Sequence, residues 1–161
     1  LPALAMISAT WSNQTLYYTP QFALAYPTGW QMKDLHTEVG APYQAGDVLL
    51  YNTDTTFVSP SVWQGFSITI RQYAAPGVTL EQWLQVNRPD TSSNAITFPL
   101  SPGLSGVEIG SDHPAQIEYV LSADDSVYVI TLERSPAITD TDRTAVQAIV
   151  SSLSNVSAYA L

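Results

Sequence analysis

Residues 114–133 read PAQIEYVLSADDSVYVITLE. Ala115, Ile117, Tyr119 and Leu121 fall on alternate positions, which places them on one side of an extended strand. Ala123-Asp124-Asp125 is a compact connection, and the chain returns through Val127 to Glu133. In the return strand Val127, Val129 and Thr131 alternate with Tyr128, Ile130 and Leu132, a pattern apolar enough to be covered on both faces. Two strands joined by so short a turn run antiparallel. This hairpin decides the fold class.

Working outward, Val107 and Ile109 mark a short strand closed by Gly110. Phe66, Ile68 and Ile70 alternate with Ser67, Thr69 and Arg71, as in a half-buried strand. Val48-Leu49-Leu50-Tyr51 is another strand. Phe22, Leu24 and Tyr26 share one face of a further one, which Pro27 ends because proline lacks a ladder donor. Gly29 then permits a turn, and Trp30 reads as the seal of a structural corner. Residues 31–47, 53–61 and 90–105 read as irregular, the last with an apolar knot at Ile96-Thr97-Phe98.

Two helices carry their own start signals. Thr79 and Gln82 have capping-box spacing ahead of Leu80, Trp83 and Leu84, and Pro89 stops that helix near Arg88. Thr139-Asp140-Thr141-Asp142 caps a second helix, whose apolar face is Ala145, Val146, Ile149, Val150 and Leu153. Such a face must lie against something flat and hydrophobic. Hairpin-linked strands with helices laid across them give an α+β fold on an antiparallel sheet. No internal repeat or linker divides residues 16–161, which form one domain. Residues 1–15 are expected to be an N-terminal extension, ordered by a partner.

The 161 residues can bury roughly 68–70% of their extended surface, enough for a core without staples. Charged residues make up only 12% of the chain, against about 25% in an ordinary soluble domain. Solubility therefore leans on 17 serines and 16 threonines. With a net charge of −9 and only four arginines and one lysine, the chain has no basic stripe, which excludes nucleic acid as a partner. No run reaches the 18 or so apolar residues of a membrane span. The acidity fits an exported domain, and the start at Leu1 is consistent with a removed signal or an N-terminal lipid anchor that the chain does not contain. Asn13-Gln14-Thr15 and Asn155-Val156-Ser157 are sequons, a pattern that chance produces readily in a Ser/Thr-rich chain.

Catalytic signatures are missing. The absence of cysteine removes thiol chemistry and thiolate metal sites. Gly103-Leu104-Ser105-Gly106 has the wrong spacing for a nucleophile elbow, and Ser105 reads as a turn residue. Lys33 is the lone lysine, and no S-x-x-K occurs. Phosphate-binding glycine motifs and calcium loops are absent as well; Asp124-Asp125 reads as a hairpin tip and Asp140 with Asp142 as a helix cap. His36 and His113 are the two histidines, too few for a catalytic zinc site without carboxylates from distant loops. No cofactor is expected, and the chain is not read as an enzyme.

Four side chains stand out as ligand or partner contacts. Trp63, between Pro60 and Gly65, has little structural reason to be where it is, and Trp11 precedes the first strand. Asp112-His113 is the one acid–histidine neighbour pair. Trp83 is assigned to the core and Trp30 to capping the sheet.

Phe22-Ala23-Leu24-Ala25-Tyr26-Pro27-Thr28-Gly29-Trp30 resembles the F-x-[IV]-x-Y-P-x-G-W start of PsbP-like and Mog1-like domains. Thr79-Leu80-Glu81-Gln82-Trp83-Leu84, the Gly110–Ala115 approach to Gln116-Ile117-Glu118-Tyr119, the hairpin return, and Ser151-Ser152-Leu153 at the final helix continue the likeness, which spans about residues 16–154. The resemblance implies an αβα sandwich around a central antiparallel sheet. It also implies a mostly non-enzymatic family. Its members include lumenal photosystem II subunits, nuclear binders of a small GTPase, and exported bacterial lipoproteins of unknown role. The lysine-poor chain departs from the photosystem subunits, which dock through basic residues, and sits with the exported lipoprotein type.

The leading expectation is therefore a non-catalytic, extracytoplasmic accessory domain that docks to a protein partner at the membrane or cell surface. The alternatives are a small-ligand binder, for glycan or metal, using loops 53–65 and 90–105, and an envelope or filament subunit that self-assembles through residues 1–12.

Overall fold

The computed structural model describes residues 14–18, 22–39, 42–90, 96–98, 104–110, 113–123 and 125–155. Trp11, Asp112 and residues 1–12 lie outside that set.

A seven-stranded antiparallel sheet forms the centre. Its strands are β3 (Gln31–Asp34), β4 (Val48–Tyr51), β7 (Phe66–Ala74), β8 (Ile96–Phe98), β9 (Leu104–Ile109), β10 (Gln116–Ala123) and β11 (Ser126–Arg134). They lie in the order β3-β4-β7-β11-β10-β9-β8. The hairpin read from the sequence is its axis, with Gln116 opposite Glu133 and Ala123 opposite Ser126. A smaller sheet of β1 (Gln14–Tyr18), β2 (Phe22–Pro27) and β12 (Ser154–Asn155) is ordered β1-β2-β12. β5 (Thr56–Ser59) and β6 (Val62–Gln64) make a separate hairpin.

Period-two alternation sends the side chains of the large sheet to two cores. On one face Ile68, Ile70, Ile117, Tyr119, Leu121, Tyr128, Ile130 and Leu132 pack with Leu24 and Tyr26 of β2. The same core takes in Val146, Ile149, Val150 and Leu153, the apolar edge of α3 (Asp140–Ser152). Burying each of these helix side chains stabilises the fold by about 1.5–3 kcal/mol. On the opposite face Val107, Ile109, Val120, Val127 and Val129 meet Trp83 and Leu84 of α2 (Leu80–Asn87). The fold is thus α+β, a central antiparallel sheet flanked by helices.

Both capping boxes form as the spacing predicts: Thr79 with Gln82, and Thr139 with Asp142. The corner after β2 is also as expected. Gly29 takes a φ of +96°, Trp30 N–H donates to the Pro27 carbonyl at 3.2 Å, and the Trp30 ring meets Phe66 edge-on at 5.0 Å.

Four stretches differ from the sequence reading. Residues 31–47 are not irregular: β3 leads into α1 (Leu35–Val39), whose first N–H groups at His36 and Thr37 are capped by Asp34 Oδ1. Residues 53–61 hold β5, and the apolar knot at 96–98 is edge strand β8, paired with β9. Ser105 is a strand residue opposite Ser122, not a turn residue. Each of these elements is only three to six residues long, too short for periodicity to separate from loop.

The terminal Ser-Leu motif has a specific task. Ser152, on the last turn of α3, is buried; its Oγ accepts from Ala25 N–H at 2.9 Å, and its one proton goes to the Ile149 carbonyl at 2.5 Å, with the Ala25 carbonyl at 3.3 Å as the more distant acceptor. β12 pairs with β2 only at Ala23 and Phe22, so this hydroxyl takes up the next ladder position. Ser152→Ala strips the buried Ala25 N–H of its acceptor. It should lower unfolding free energy by about 1–3 kcal/mol, measured by urea denaturation. An unchanged midpoint would mean that β2 finds another partner there.

Candidate functional site

The second face of the large sheet is covered unevenly. Its apolar half, with Val107, Val120, Val127 and Val129, lies under α2. Across the same strands the sequence turns polar. Ser67, Glu133 and Gln116 form one cross-strand row, and Thr69, Thr131 and Glu118 the next. No helix among the described residues covers this half, because a polar row has no apolar surface to bury.

The β5–β6 hairpin stands at its side and makes it a trough. One lobe, of about 720 Å³, is lined by Trp63, Ser67, His113, Gln116, Glu133 and Arg134, among others. A second lobe, of about 460 Å³, runs on past Trp63, Thr69, Arg71, Tyr73, Thr131 and Tyr43. Trp63, Gln116 and Glu133 line both lobes and mark the middle. Gln116, His113, Glu118 and Arg88 also border a smaller recess of about 220 Å³.

Several contacts fix the wall. Within the hairpin Phe57 meets Tyr51 edge-on at 5.0 Å and Trp63 at 6.5 Å, so Trp63 is backed by an aromatic stack reaching β4. Gly65, at φ +91°, lets the chain pass the Asp54 carbonyl; a Cβ there would sit 2.2 Å from that oxygen. The Thr55 hydroxyl donates to the Phe66 carbonyl. Arg134 holds Asp54 Oδ2 at 3.1 Å while its Nε and Nη2 bond both Asp142 oxygens at 2.6 and 2.9 Å. Loop, sheet and the α3 N-terminus are joined there by one guanidinium, whose proton affinity the bond to Asp142 raises.

Two further arginines of the floor and rim are also paired. Arg88 is bidentate to Glu118, with Nε–Oε1 at 2.8 Å and Nη2–Oε2 at 3.0 Å. Arg71 reaches buried Asp47 at 3.4 Å and stands over the Tyr43 ring at 5.1 Å. His113 is exposed on the rim, and its Nδ1 accepts from Ala115 N–H at 3.1 Å, which leaves the ring proton on Nε2. His36 lines neither lobe; its Nδ1 bonds the Tyr43 carbonyl at 2.7 Å. Among the described residues no three His, Asp or Glu side chains cluster as a metal site requires.

Of the four side chains singled out from sequence, Trp63 and His113 line one lobe of the trough together. Trp63 sits on strand β6, not in a loop. Trp11 and Asp112 lie outside the described residues. Sequence reasoning missed Gln116, Glu133, Arg71 and Tyr43. The signal for the first two was present. The expectation that 127–133 is covered on both faces holds for Val127–Ile130, whereas Thr131 and Glu133 open onto the trough.

Neither a protein-family profile nor a curated protein matches the chain in sequence. Solved structures do match. Cyanobacterial PsbP (CyanoP) from Synechocystis sp. PCC 6803 superimposes over 89% of this chain and 92% of its own, with a TM-score of 0.55 at 13% identity. The two share one fold. A Bacteroides thetaiotaomicron protein matches 89% of this chain over 48% of its own length, with a TM-score of 0.51 and again 13% identity. At 13% identity the likeness to both is one of fold alone.

Proposed function

We propose that the protein is a non-catalytic, extracytoplasmic accessory domain that docks to a protein partner at the membrane or cell surface, with the trough as its docking face. The observation that carries this reading is the trough wall. Val58 and Val62 are 64% and 49% exposed on the hairpin that presents Trp63. Exposed aliphatic residues beside an aromatic side chain, over a polar floor, have the make-up of a protein contact: an apolar anchor with a hydrogen-bonding rim. The shared fold with PsbP supports the accessory role. No helix among the described residues is long and apolar enough to cross a membrane, so attachment would come from a partner or an anchor.

A photo-crosslinking residue at Val62 in native cells, with Val86 of α2 as the control position, tests this. The expected result is one adduct of defined mass from Val62, about tenfold above Val86, and lost in Trp63→Ala. Equal labelling at the two positions would end the docking reading.

A second reading, a small-ligand site for a glycan, is favoured by the 720 Å³ lobe, which falls within the range of roughly 300–1,000 Å³ usual for ligand sites. Thermal stabilisation by an oligosaccharide, abolished in Trp63→Ala, would support it over docking.

A further inference from the structure

We infer that the trough recognises an arginine- or lysine-bearing extended segment of a basic protein, with Glu133 pairing the cation and the Trp63 ring supplying the face beneath it. This rests on the docking reading and adds the chemistry of the partner.

The protein repeats one motif of its own at four places. Lys33 pairs with Glu38 at 3.1 Å and stands 4.4 Å over the Phe57 ring. Arg71 pairs with Asp47 and lies over Tyr43 and Tyr73, at 5.1 and 5.5 Å. Arg88 pairs with Glu118 and lies 5.6 Å over Trp83, and Arg134 pairs with Asp142 and lies 5.1 Å over Phe66. Each is a cation held between a carboxylate and an aromatic face, an arrangement worth more than either contact alone where water is partly excluded.

In the middle of the trough the same two partners recur without the third. Trp63 and Glu133 line both lobes. Glu133 is exposed, and no cation among the described residues lies on it, whereas Glu118 and Asp54 beside it are occupied by Arg88 and Arg134. The chain has nothing to spare for the position: its lysine and three of its arginines are committed as above, and Arg143 is engaged elsewhere. With 14 acids against five basic residues, a cation for Glu133 must come from outside.

The surroundings of Glu133 suit a peptide. Exposed Gln116 stands opposite it on β10 and offers a neutral amide beside the charge, while Ser67, its neighbour in the same row on β7, is buried. The two lobes meeting at Glu133 give an extended segment a path to either side. A net charge of −9 draws a basic partner in and makes the encounter salt-dependent.

Isothermal titration of the full chain with a short acetylated and amidated peptide alternating arginine with threonine tests the inference. The same peptide with glutamate for arginine is the control. The expected result is saturable binding of the arginine peptide only, weakening with added salt. Glu133→Gln should weaken it roughly 5–10-fold, and Trp63→Ala by a similar factor. Glu133 is exposed and unbonded, so its neutral variant keeps the fold, to be confirmed by circular dichroism. No binding up to about 1 mM, equal binding of both peptides, or an unchanged affinity in Glu133→Gln would each overturn the inference. The docking reading survives that failure if Val62 still crosslinks to a partner, and falls with it if Val62 and Val86 label alike.

Discussion

Gly65→Ala should cost about 3 kcal/mol of stability, enough to lower the thermal midpoint by about 6–12 °C in a chain of this size. Two effects add at this position. The backbone sits at φ +91°, where a side chain is strained, and the new Cβ would lie 2.2 Å from the Asp54 carbonyl oxygen. The obstacle is backbone, so no rotamer change relieves it. Relief requires the 52–55 turn to swing away from β7, carrying Asp54 off Arg134 and tilting the hairpin that holds Trp63. Calorimetry reads the first consequence, and the binding of any trough ligand reads the second. Gly29→Ala is the useful comparison. It has a similar φ of +96° but nothing within 4 Å of the added carbon, so it should cost about 1 kcal/mol. Equal losses at the two glycines would show that the close approach to Asp54 contributes nothing.

Arg134→Ala should be as damaging, by about 3 kcal/mol at neutral pH, because it strands a carboxylate that is only 7% exposed. Its pH dependence distinguishes it from an ordinary packing loss. Burial alone would raise the Asp142 carboxyl, but the Arg134 guanidinium and the bonds with Thr139 together hold it below the usual carboxylate range. A depressed acid contributes stability that is complete above its unfolded value of about 3.9 and is lost as pH falls through the lower folded value. The wild type should therefore lose this contribution only below about pH 4. In Arg134→Ala the guanidinium's lowering share is gone, so the carboxyl sits higher than in the wild type and protonation relieves the stranded charge sooner. The deficit against wild type should narrow on acidification, as read from urea midpoints at about pH 7 and about pH 3.5. A deficit that is constant with pH would assign the loss to packing against Phe66 instead.

The elements that sequence reveals best here are those in which one side of a repeat meets a core. The β10–β11 hairpin, β7 and the two capped helices are long enough for alternation or a helical stripe to show, and their caps bond as the spacing implies. The corner at Tyr26–Trp30 belongs with them, because proline and glycine fix backbone geometry locally. What sequence hides is β3, β5, β6 and β8: three or four residues each, too short to show a period. The trough is hidden for a related reason. Its floor joins Ser67, Thr69, Thr131, Glu133, Gln116 and Glu118, which become neighbours only when three strands are set in register. Trp63 and His113 could be suspected singly, since each lacks a reason to be core. Their meeting across 50 positions could not be read from either.

The hydroxyl of Ser152 joins positions 127 residues apart, and β12 reaches the same strand from the same end of the chain. The layer on the α3 side of the sheet thus opens with some of the earliest described residues and closes with some of the latest. While the residues between β2 and α3 are being made, β2 lacks the helix that seals it, so its apolar face stays unpaired until α3 follows. Long-range closure of this kind slows folding and lengthens the life of the open chain. The domain therefore cannot lock this core until Ser152 has followed Ala25 out of the ribosome.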